Sequence, residues 1–127
     1  MKVANQLTTR SVRAALAATV LAVPLLASST AFAADKKAER AYKANCASCH
    51  GAEGKADTEK GQKMKMADIS TAEWQAKFTD AQISDAITKG VHETRGGVKK
   101  DMDAFPADKI SDELRTGVVA YVRGLKK

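Results

Sequence analysis

Apolar residues are distributed along this chain in two different ways. From Ala14 to Ala27 they run almost without a break, interrupted only by Thr19 and Pro24. From Asp35 onward they thin to single positions three and four residues apart, the mark of helices that bury one face. Ala38, Ala41 and Tyr42 share a face of a helix predicted from Lys36 to Asn45, with Asp35 as its N-cap. Thr71 is placed to cap a short helix carrying Trp74 and Phe78. Thr79 and Gln82 form a capping-box pattern opening a helix through Ile83 and Ile87 that stops at Gly90. Ser111 precedes the best pattern of all, in which Leu114, Val118, Tyr121, Val122 and Leu125 follow helical spacing. The polar, Lys-rich stretch Ala52–Ala67 and the stretch from Gly96 to Pro106 show no periodicity and read as loops. The pattern predicts an all-α domain of four to five short helices and two long loops, with no repeat and no low-complexity linker. Loops of that length persist in a small domain only when something functional holds them.

The continuous apolar run has a different meaning. Lys2, Arg10 and Arg13 precede it, no acidic residue occurs before Asp35, and Ala31-Phe32-Ala33 follows with the small-x-small pattern of a signal-peptidase site. The run is shorter than the roughly twenty apolar residues a membrane-spanning helix needs. Residues 1–33 are therefore expected to be a cleaved secretory signal peptide and 34–127 a single domain, with no stable membrane insertion after cleavage; an uncleaved anchor is the alternative. No adjacent Arg pair is present, which favours general secretion. Cleavage removes three of the 21 Lys and Arg and none of the 15 Asp and Glu, so the net charge falls from +6 to +3. The remaining lysines are interleaved with acids, and nucleic-acid binding, which needs a dense basic face, is excluded.

The chemistry is concentrated in Cys46-Ala47-Ser48-Cys49-His50. C-x-x-C-H is the spacing of covalent c-type haem attachment. Two thiols three residues apart on one helical turn face the same way and can add to two vinyl groups of one porphyrin, while His50 offers a neutral nitrogen to the iron. A zinc site lacks ligands, since His92 is the one other histidine and there is no third cysteine. A thioredoxin-like pair would follow a strand, and nothing near it reads as one; a plain Cys46–Cys49 disulfide stays open. The domain has five aromatics, Tyr42, Trp74, Phe78, Phe105 and Tyr121. So thin a core calls for a staple, and a covalent haem would supply one.

A second axial ligand has several candidates. A thioether raises the potential of haem iron, and the domain offers Met64, Met66 and Met102. Met102 lies 52 residues beyond His50 in a Gly-containing segment able to wrap round, with Phe105 behind it, and is the expected ligand. Of Met64 and Met66, one is expected to fill core space and the other to be exposed. His92 is expected to face solvent, with bis-His ligation as the alternative, and an open sixth position would imply ligand binding or catalysis.

From Ala34 to Lys127 the sequence resembles the class I c-type cytochromes. Tyr42 lies four residues before the first cysteine, the haem motif runs into Gly51-Ala52-Glu53-Gly54, and Met102-Asp103-Ala104-Phe105 follows downstream. Leu114–Leu125 matches the C-terminal helix, which in this family crosses the N-terminal one. The chain departs from the family in having Asp103 where Pro often follows the methionine, no Pro in the loop after the haem motif, and Ala38 where a glycine is common. The resemblance implies a cytochrome c-like fold around one haem c, bound through Cys46 and Cys49 with His50 and Met102 on the iron. It also implies an electron carrier, not an enzyme, located in the bacterial periplasm. Docking on redox partners would be transient, through a haem edge bordered by Lys55, Lys60, Lys63, Lys65, Lys99 and Lys100, with the protein a monomer. A haem protein with an open sixth site, and the electron-transfer subunit of a larger oxidoreductase, are the alternatives.

Overall fold

The computed structural model describes residues 28–127; the basic start and apolar run of the expected signal segment lie outside the described residues. Helix α1 spans Ser28–Asn45. Asp35 thus sits inside a helix instead of capping one, because the preceding residues include three alanines and no Gly or Pro to stop helix propagation. The single turn α2, Ala47–His50, follows directly. Three caps form as the sequence predicts. Thr71 accepts from the Trp74 amide at the start of α4, Ala72–Lys77. Thr79 and Gln82 close a reciprocal capping box on α5, Asp80–Lys89, and Ser111 accepts from the Leu114 amide at the start of α6, Asp112–Gly124.

Helices α1 and α6 cross to form the centre of the core. Gly117 makes the crossing possible: a Cβ there would lie 3.2 Å from that of Ala38. The small residue that the terminal helices need is therefore on α6, with Ala38 opposite. Val118, Val119 and Val122 bury the α6 stripe, each worth roughly 1.5–3 kcal/mol of apolar transfer. Tyr42 and Tyr121 pack with ring centroids 5.1 Å apart. Arg123 joins α6 to α4 and α5, donating to the Gln75 carbonyl and side-chain oxygens at 2.8 and 2.9 Å, to the Phe78 carbonyl and to Asp80. Beneath it the buried Gln75 amide donates to the carbonyls of Ile69 and Val122.

Two expectations change. The segment from Ala52 to Ala67 contains a short helix, α3, Glu59–Lys63, capped by Thr58. More important, the segment after Gly90 is a β-hairpin: β1, Val91–Arg95, pairs antiparallel with β2, Val98–Met102, in the register Val91↔Met102. The described residues are thus helical with a small two-stranded sheet and are not all-α; they hold six helices, two of them no longer than five residues. The cause is the Gly96-Gly97 turn. Both glycines have positive φ, +59° and +73°, as a two-residue hairpin turn of matching twist demands. None of the described helices is long and apolar enough to cross a membrane.

Candidate functional site

The end of α1 delivers the cysteine motif as one tight turn. Cys46 donates its amide to the Tyr42 carbonyl at 2.8 Å, and its own carbonyl accepts from Cys49 and His50 at 3.1 and 2.9 Å. No disulfide joins the two cysteines; Cys46 is buried and Cys49 partly so. Burial pushes the Cys46 thiol up to about 11. Two further bonds brace the turn. The buried Tyr42 hydroxyl donates to the Gly51 carbonyl at 2.9 Å. Thr58, the cap of α3, donates to the Cys49 carbonyl at 3.1 Å. Burial also holds His50 below the usual histidine range, so its imidazole is neutral with a lone pair to offer. The C-terminal end closes over this region, where Lys127 and Lys55 pair with Glu53 and hold its carboxyl down at about 2.

Cys46, Cys49 and His50 open onto a cleft of about 790 Å³, within the roughly 300–1,000 Å³ of ligand and cofactor sites. Its apolar walls come from every part of the domain: Ile69, Trp74 and Phe78, then Ile83 and Ile87 of α5, then Val118 and Val122 of α6. Trp74 and Phe78 stack at 5.0 Å. The helical spacing marks all of these except Ile69 as residues of buried faces. Folding places one edge of each in the cleft, which no periodicity reveals.

Met102, the last residue of β2, also lines the cleft, and it is packed against the core cluster with Phe105. Met64 and Met66 line it as well, both half-buried; the expectation of one buried and one exposed methionine is not met, because the turn after α3 lays both along the rim. His92 is outside the lining residues. It lies on β1, exposed, with Nδ1 2.6 Å from an Asp101 carboxylate oxygen, and not in a loop. Alternation along the strands accounts for most of the split: Val91, Glu93, Arg95, Lys100 and Met102 border the cleft and His92 does not, while its cross-strand partner Asp101 also reaches the lining. Among the expected edge lysines, Lys60, Lys65 and Lys100 border the cleft, Lys55 pairs with Glu53 at 3.0 Å and Lys99 with Asp101 at 2.8 Å.

The residues fit a covalently held haem. Two thiols and a neutral imidazole share one wall of an apolar cleft, and Nδ1 of His50 is a buried polar atom with no hydrogen-bond partner in the protein. A zinc site does not fit: among the described residues no three His, Cys, Asp or Glu side chains gather to hold a metal ion. Comparison with known proteins agrees. Residues 33–122 match the family described as cytochrome c oxidase, cbb3-type, subunit III. Among solved structures, the KustC0563 c-type cytochrome is 31% identical with a TM-score of 0.58, over 71% of this chain and 98% of that one. No curated protein matches. The chain belongs to the cbb3-type oxidase subunit III family and is a class I monohaem c-type cytochrome, whose cofactor is covalent haem c with its iron.

Proposed function

We propose that this cytochrome carries single electrons between redox proteins of the bacterial periplasm, and that it performs no bond chemistry on a substrate. The observation that carries the reading is the cleft, which brings Cys46, Cys49 and His50 of one turn together with Met102 of a sequence-distant strand and adds apolar side chains such as Ile69, Trp74, Ile83, Ile87 and Val118, with charged residues among its lining. Cys46 and Cys49 would hold the haem through thioethers, with His50 and Met102 as its axial ligands. When bound, the group supplies a one-electron ferric–ferrous couple. The protein's part is to fix it, to exclude water with Ile69, Ile83, Ile87 and Val118, and to set the potential through the two ligands. With His50 and Met102 both holding the iron, small molecules would find no open coordination site.

Export is part of the same proposal. Residues 1–33 are proposed as a cleaved signal, so that the working protein is 34–127, a monomer free of the membrane. Lysines at the cleft rim, Lys60 and Lys65, would speed transient docking of acidic partners in a salt-dependent way. The family match favours a second reading, in which the chain is the electron-transfer subunit of an oxidase and not a free shuttle. A pull-down from membranes separates the two: recovery with an oxidase at constant stoichiometry supports the subunit, and recovery in the soluble fraction the shuttle.

The test of the ligand set is optical and electrochemical. Axial ligands spread haem potentials over roughly 0.8 V, so Met102→Ala is expected to lower the potential by on the order of 0.1 V or more. It should also let the reduced protein take up carbon monoxide. A variant with the parent potential and no carbon monoxide adduct would remove Met102 from the iron. Ready carbon monoxide binding by the parent protein would favour an open site and a ligand-binding or catalytic role.

A further inference from the structure

The hairpin that ends in Met102 projects from α5, and its own side-chain pairs, His92–Asp101, Lys99–Asp101 and Arg95–Glu93, lie within it. Among the described residues, the hydrogen bonds by which a hairpin side chain reaches another element come from Lys100. Its ammonium donates to the carbonyls of both Met64 and Lys65, 36 and 35 residues away in sequence. These carbonyls have a reason to need a donor. They leave the C-terminal end of α3, where backbone acceptors lose their helical partners, and Lys65 turns the chain there with a left-handed φ of +46°. The Met66 amide returns to the Gly61 carbonyl at 2.9 Å, and the Lys65 amide to that of Gln62 at 3.0 Å. The two outward carbonyls are left for Lys100.

Lys100 is half-buried, lies two residues before Met102 on the same face of β2, and like Met64, Met66 and Met102 borders the cleft. We infer that Lys100 is a positioning residue for the sixth ligand: by fastening β2 to the Met64–Met66 turn, it holds Met102 in the cleft and sets how readily an outside ligand can displace it. The inference rests on Met102 as the axial ligand. A charge placed for partner docking would be expected to extend into solvent, whereas this ammonium is spent on two backbone carbonyls of its own chain. Charge-assisted bonds to carbonyls are among the stronger hydrogen bonds, and this pair spans the cleft rim.

The experiment is an imidazole titration of the ferric haem-loaded protein, with the potential measured on the same samples. Lys100→Met keeps the stem and removes the donors; Lys100→Arg restores a cationic donor for two carbonyls. Ser111→Ala, which loses the α6 cap remote from the cleft, controls for general destabilisation. Lys100→Met is expected to bind imidazole about tenfold tighter than the parent or more, about 1.4 kcal/mol, with Lys100→Arg and Ser111→Ala staying within about threefold of the parent. Equal affinity in Lys100→Met and parent would overturn the inference, as would an equal gain in Ser111→Ala. Met102→Ala is run alongside. If it leaves imidazole affinity at the parent value, the ligand assignment itself fails, and the role of Lys100 with it. If it binds imidazole tightly while Lys100→Met does not, the assignment stands and the positioning role alone is refuted.

Discussion

At the scale of single residues, Tyr42 carries more than its share. Its ring packs on Tyr121 at the helix crossing, and its buried hydroxyl donates to the carbonyl of Gly51, the residue after His50. Tyr42→Phe keeps the ring and strands that carbonyl, at a cost of about 1–3 kcal/mol readable as a lower denaturation midpoint. The same burial pushes the Tyr42 phenol well above its ordinary range. In the unfolded chain it ionises near pH 10, and in the folded one it stays protonated to higher pH. Its contribution is therefore complete below about pH 10 and is lost as pH climbs toward the folded value. Stability of the parent should fall through that alkaline window, and Tyr42→Phe should flatten the fall; parallel pH curves would contradict the assignment. At this scale the motif was open to reading, because Cys46, Cys49 and His50 act through spacing alone. The role of Lys100 was not, since its partners are backbone carbonyls some 35 residues away.

Among the elements, the α1–α6 crossing sets the geometry to which the rest attaches. Gly117 faces Ala38 with no room for a larger side chain. Gly117→Leu should force the helices apart and cost about 1–3 kcal/mol, as overpacking does, with thermal unfolding as the measure and Gly124→Leu, at a position with open space, as the mild comparison. Helix starts were legible because a cap is a local bargain between one side chain and an amide three residues on. Thr71, Thr79 and Ser111 show this. The hairpin was not legible from hydropathy. Its strands read VHETR and VKKDM, mostly exposed and charged, so no alternation of apolar and polar residues announces them. The one local sign was Gly96-Gly97, which reads equally well as a flexible loop. Helix α3 escaped notice for a related reason: four polar residues around a central glycine have no apolar stripe.

For the whole molecule, the cleft is built from segments that meet only in the finished fold: the 46–50 turn, the 64–69 rim, α4 and α5, the end of the hairpin, and α6. Its walls are apolar, and without a haem plate between them they would face water across much of the small core. Cys46, proposed as one of the two attachment points, opens onto this cleft. Abundance in the cell should then follow haem supply. When attachment fails, the empty chain lacks the surface around which its helices settle, and opened segments are what proteases cut. Such a protein would keep its own inventory: copies without haem would be the ones removed.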